Sequence, residues 1–150
     1  MNNETLDRSL LNFIFFSVCL IPFALITGPF LPDLLVTLTS IFFLFLSIKN
    51  QNFFYYKNYF FYIFFTFYIY LVLNSLFSEY PIFSMKSSVV YIRFGIFSVA
   101  VWFLIDNEKN FLKYFFIGII LAFLVGIFDG YYQYFNGKNL FGHIYTYRLN

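Results

Sequence analysis

The stretch Phe111-Leu112-Lys113-Tyr114-Phe115-Phe116-Ile117-Gly118-Ile119-Ile120-Leu121-Ala122-Phe123-Leu124-Val125-Gly126-Ile127-Phe128 decides the fold. Eighteen residues with one charge, apolar on every side, leave no face for water. At 1.5 Å per helical residue the run reaches about 27 Å, close to the roughly 30 Å of a bilayer's hydrocarbon core. The spacing predicts a membrane-spanning helix over residues 111–128.

Working outward, the same pattern recurs over residues 10–27, 34–48, 59–77 and 89–105. Five spans joined by short connections predict an all-α, polytopic transmembrane bundle forming one domain, followed by an outer tail over 129–150. Composition agrees: 61% of the 150 residues are hydrophobic and 11% charged, where a soluble domain needs about a quarter. Mean hydropathy is +0.77. The aromatic share, 28% from mainly Phe and Tyr, is compatible with lipid-facing surfaces and says little about chemistry.

The connections carry the punctuation. Gly28-Pro29-Phe30-Leu31-Pro32-Asp33 is a tight break, with Pro32-Asp33 suited to the first turn of the next helix and Asp33 near its positive dipole end. Pro22 removes one hydrogen bond from the first span and predicts a kink there. Residues 49–58 bring Lys49, Lys57 and the ring cluster Phe53-Phe54-Tyr55-Tyr56, as at a membrane interface. Pro81 predicts a second break over residues 78–88. Within it, Glu79 and Lys86 are spaced to pair. Asp106 or Asn107 is positioned to cap the fifth helix.

The first span follows no basic leader and precedes no small-residue cleavage site, so it reads as uncleaved. Lys and Arg in the loops then set orientation. With the N-terminus in the cytoplasm, Arg8, Lys49, Lys57, Lys109 and Lys113 face inward, and Lys86, Arg93, Lys138 and Arg148 outward, five against four. The formal charge of +2 is dispersed, without the basic stripe that a nucleic-acid partner requires. One cysteine, Cys19, and one histidine leave too few soft ligands for a zinc or iron centre. No phosphate loop, dinucleotide fingerprint or nucleophile elbow occurs in the sequence.

Few residues are equipped for chemistry. Arg93 is predicted about one turn inside the outer end of the fourth span, where a guanidinium either snorkels as an anchor or faces a phosphate with its forked donors. Asp129 closes the fifth span at a dipole end that disfavours carboxylates; Lys138 and Arg148 are candidate partners, and exposure to water is the alternative. Tyr131, Tyr132, Tyr134 and Phe135 form an interface belt or a platform for sugar rings, with Asn136-Gly137 as a turn behind them. His143 is either a general base or incidental. Gly118, Ala122 and Gly126 make a small-residue stripe suited to helix packing.

Taken together, an apolar span ending in Asp129, then Tyr132-Gln133-Tyr134-Phe135, then Asn136-Gly137-Lys138-Asn139-Leu140-Phe141-Gly142 and Arg148 resembles the O-antigen ligase and O-antigen polymerase superfamily. The resemblance covers the C-terminal third; the rest matches as a hydropathy pattern. It implies a metal-independent glycosyltransferase of the bacterial inner membrane, with no cofactor, moving glycan from undecaprenyl diphosphate to lipid A-core or to another glycan. It further implies that Arg148, with Arg93, binds the lipid diphosphate and that Asp129, Lys138 and His143 support it. Members of that superfamily carry a large periplasmic loop and later helices. The expectation is therefore an N-terminal portion of a longer protein, holding no catalytic residue of its own. The competing reading is a small non-enzymatic five-span protein, an accessory subunit or transporter fragment.

Overall fold

A computed structural model describes residues 3–137. Lys138, His143 and Arg148 lie outside the described residues, as does the rest of the tail after Gly137. The chain forms α1 (Asn3–Thr27), α2 (Phe30–Lys49), a single 3-10 turn (Phe54–Tyr56), α3 (Tyr59–Leu76), α4 (Pro81–Val90), α5 (Ile92–Asn107) and α6 (Phe111–Asn136). Five stretches are long and apolar enough to cross a bilayer: Leu6–Thr27, Phe30–Lys49, Tyr59–Leu76, Pro81–Asn107 and Phe111–Asn136. The protein is a multi-pass membrane protein with an all-α bundle.

Four helices, α1, α2, α5 and α6, share the core, and α3 and α4 lie to one side. α1 packs antiparallel to α2 on one side and parallel to α6 on the other; α2 packs on α5, and α3 lies beside α5 and α4. The buried core joins Ile14 and Val18 of α1, Phe43 and Leu46 of α2, Val99, Ala100 and Leu104 of α5, and Phe111 of α6. It therefore sits toward the end of the bundle that holds Lys49 and Asn107. Edge-to-face ring pairs extend it, Phe13 on Phe42 at 5.1 Å and Phe15 on Phe111 at 5.8 Å. The outward faces of α3 and α6 remain almost wholly exposed Phe, Ile, Leu and Tyr, as lipid-facing surfaces must be when lipid is as apolar as the side chains.

Two close approaches set helix spacing. A Cβ at Gly118 would stand 2.7 Å from the Cys19 carbonyl oxygen, so this glycine lets α6 lie against the backbone of α1. Gly126, eight residues on, faces open space. The small-residue stripe thus makes a close backbone approach at Gly118, while Ala122 and Gly126 line a groove shared with α1.

Several boundaries differ from the sequence reading. The preceding helix ends before Pro81, but the break does not extend to residue 88: Pro81 occupies the first turn of α4, where its missing N–H costs nothing and its fixed φ suits the helix. The break is therefore confined to residues 77–80, where the Ser78 hydroxyl accepts from the Tyr80 amide and bonds the Ser84 hydroxyl at 2.9 Å. Lys86 does not pair with Glu79; its Nζ lies 5.9 Å from the Phe83 ring centroid. Asp106 and Asn107 belong to α5, and Asn110 precedes α6 without a side-chain cap bond. Asp129 does not close the last helix. α6 runs eight residues beyond Phe128, because nothing there breaks it, and ends where Gly137 takes the left-handed conformation at φ 68°. Its amide bonds the Gln133 carbonyl at 2.9 Å, as left-handed caps do.

Candidate functional site

Asp33, Thr37 and Ser40 follow one another at i, i+4 and i+7 on α2, so they share one face. That face meets the first turn of α5. Ser40 donates its hydroxyl to the Arg93 carbonyl at 2.8 Å, and also bonds the Val36 carbonyl at 2.7 Å. Arg93 Nη1 donates to Thr37 Oγ1 at 2.8 Å, and Nη2 forms an ion pair with the Asp33 carboxylate. The guanidinium also lies 5.0 Å from the Phe94 ring centroid. Its Nε is buried and has no partner among the described residues.

Depth gives this arrangement its meaning. Arg93 stands close to the middle of the 27-residue stretch Pro81–Asn107, and its backbone is level with Ser40, midway along α2. It is not one turn from the end of its span, because α4 adds ten residues before it. A cation at that depth costs about 2.5 to 3.5 kcal/mol by insertion measurements. The side chain avoids part of that cost by running along α2 through Thr37 to Asp33, at the start of the helix. Arg93 is about one-fifth exposed and Asp33 about half, so the pair reaches from the protein interior to the bundle's edge.

The opposite end of α2 carries a second pair. Lys49 Nζ donates to Asp7 at 2.6 Å, tying the last turn of α2 to the start of α1. Beside it, the 3-10 turn wedges Tyr55 and Tyr56 into the bundle. Tyr55 accepts from Asn107 Nδ2 at 2.8 Å and meets Phe103 edge-on at 5.4 Å. Tyr56 donates to Ser47 at 3.3 Å and stacks on Phe43 at 6.3 Å. Burial lifts the Tyr56 phenol above the ordinary tyrosine range, with the Ser47 bond pulling it partly back. Phe53 and Phe54 are exposed, so half of this cluster dresses the interface while the two tyrosines are packed within.

Two spaces adjoin these elements. A cavity of about 190 Å³ lies between α3 and α5, lined by residues including Phe61, Phe64, Gly95, Ser98 and Trp102. A groove of about 620 Å³ opens between α1 and α6, lined entirely by apolar and glycine residues from Ile21 to Ile26 and from Phe115 to Ile127. No group of His, Cys, Asp and Glu suited to a metal occurs among the described residues.

No protein family, curated protein or solved structure matches this chain. The site is therefore read from its own chemistry. Of the five residues that the resemblance assigns to the diphosphate, Arg93 and Asp129 lie within the described residues. Arg93 is engaged by Asp33, so its charge is matched inside the protein. Asp129 is half-buried within α6, at the same end of the bundle as Asp33. Thr37 and Ser40 escaped the sequence reading, as did the pairing of Asp33 with Arg93. The signal was present in the i, i+4, i+7 polar spacing on an otherwise apolar helix.

Proposed function

We propose that the five spans are the membrane portion of an O-antigen ligase-like or polymerase-like glycosyltransferase of the bacterial inner membrane. It transfers glycan from undecaprenyl diphosphate to lipid A-core or to a growing glycan. The observation that supports this reading is the junction at the end of α6. The helix runs unbroken from the apolar span through Asp129 and the Tyr-rich run to Gly137, so the described part of the segment that resembles the superfamily belongs to the same helix as the last span. In this reading Arg148 engages the lipid diphosphate, and Asp129, Lys138 and His143 support it. Cations there stabilise the charge that develops as the diphosphate leaves. Arg93, already paired with Asp33, contributes only if that pair opens.

The test is transfer of lipid-linked glycan in membranes carrying Arg148→Ala. Loss of transfer at an unchanged membrane level of the protein is the expected result; unchanged transfer removes Arg148 from the site and with it the main support for the reading.

The Asp33–Arg93 pair favours a second reading. A charge matched within the bundle serves packing rather than a substrate, which fits a non-enzymatic five-span accessory protein. Under it, Arg93→Met lowers the folded amount of protein and leaves glycan transfer by the host unaffected.

A further inference from the structure

The stretch Pro81–Asn107 is apolar enough to be one helix, yet it is divided at Tyr91 into α4 and α5. Straight, its 27 residues would reach about 40 Å, some 10 Å more than a hydrocarbon core. At the division the backbone tightens, with Tyr91 bonding the Ser88 carbonyl and Phe94 the Tyr91 carbonyl, both at 3.1 Å. Tyr91 keeps helical dihedrals, φ −63° and ψ −22°, so the division is a tightened turn, a feature that often marks a hinge.

The two halves belong to different neighbours. α4 packs on α3, whereas α5 packs on α2. The hydroxyls that reach the backbone on either side of Tyr91 follow the same split: Tyr68 of α3 donates to the Val89 carbonyl at 3.4 Å, and Ser40 of α2 to the Arg93 carbonyl at 2.8 Å. Between α3 and α5 the contact is narrow. The Phe64 ring rests on the bare backbone of Gly95, next to the 190 Å³ cavity.

We propose that the α3–α4 hairpin is an arm that pivots at Tyr91 against the body of α1, α2, α5 and α6, and that the Arg93–Asp33 pair pins the pivot. Arg93 is the second residue of α5, so its bonds to Asp33 and Thr37 hold the turn from which α4 departs. Releasing them frees that turn, and the swing of the arm widens the cavity between α3 and α5. This inference does not depend on the glycosyltransferase reading.

The test is a distance measurement by pulsed electron resonance on the full chain in lipid nanodiscs, with Cys19→Ser. Spin labels go on two exposed positions, Phe30→Cys in α2 and Ile82→Cys in α4. A second pair, Ile41→Cys and Phe123→Cys, reports on the body alone. The expected result is one narrow Phe30–Ile82 distance in the otherwise unchanged chain. Asp33→Asn then adds a second population displaced by about 5 Å or more, and the body pair is unmoved. The charge swap Asp33→Arg with Arg93→Asp restores the single distance. An unaltered distribution in Asp33→Asn overturns the proposal, as does a broad one before any change. A body pair that broadens as well shows that the ion pair holds the whole bundle, which overturns it equally.

Discussion

A Cβ placed on Gly95 would stand 2.2 Å from Cε1 of Phe64, so the Phe64 ring lies on the α5 backbone at this point because residue 95 has no side chain. Gly95→Ala is expected to lower stability by about 1 to 3 kcal/mol, the usual cost of overpacking. Phe64→Leu in the same chain should recover most of it. Thermal unfolding in detergent, monitored by circular dichroism, reads both. Gly126→Ala, facing open space, should leave the midpoint unchanged.

The two partners of the Arg93–Asp33 pair are not equivalent. Asp33→Ala leaves a guanidinium without its carboxylate, whereas Arg93→Met removes the charge and keeps an apolar stem of similar length. Each change leaves one charge unpaired, and an unpaired charge costs more the deeper it is buried; Arg93 is about one-fifth exposed and Asp33 about half. Asp33→Ala is therefore expected to destabilise by roughly 1 to 2 kcal/mol, a figure kept low because Asp33 is half exposed, and Arg93→Met by less. Equal losses would contradict this order.

Asp7→Ala tests the opposite end of α2. Both members of the Asp7–Lys49 pair are about a quarter exposed, so the expected loss is ~0.5 to 1 kcal/mol. Raising salt from low to molar concentration should shrink the gap between the two proteins, since exposed charges are screened. A gap insensitive to salt would mean that packing, and not charge, was lost.

Tyr56 sets an alkaline limit. Its phenol is raised by burial, so the folded state holds the proton more tightly than the unfolded state does. That contribution is fully present below the unfolded value of about 10 and is lost as pH rises through the folded value. Stability should thus fall above pH ~10, and Tyr56→Phe should flatten that fall. Ultraviolet titration of tyrosinate alongside thermal midpoints checks the order of events.

The five spans were legible because a run apolar on all sides has no alternative to lipid. Their ends were less so. The bond Tyr80–Pro81 disfavours helix before it and favours helix after it, and the sequence alone does not say which consequence dominates; the structure begins α4 there. Asp129 was read as a boundary on the premise that a charge ends a span, yet hydrogen bonding continues a helix past the bilayer edge wherever no breaker intervenes. The Asp33–Arg93 pair joins positions 60 apart in the chain, and no local spacing discloses such a contact. The helix face that receives it was visible in Asp33, Thr37 and Ser40. Lys138, His143 and Arg148 gained nothing from the structure, since they lie beyond Gly137.

The length of α6 has a mechanical consequence. Lys113 near its start and Tyr131 near its end are eighteen residues apart, about 27 Å along the axis, and the residues between them are apolar save for Asp129. Beyond Tyr131, Tyr132, Tyr134 and Phe135 point to several sides of the helix and form a collar. An ammonium at one mark and a ring collar at the other make α6 a ruler for the bilayer. In a membrane thinner than that interval the helix leans, kinks or thickens the bilayer around it, and since Gly118 lies against the α1 backbone, a lean is passed to α1.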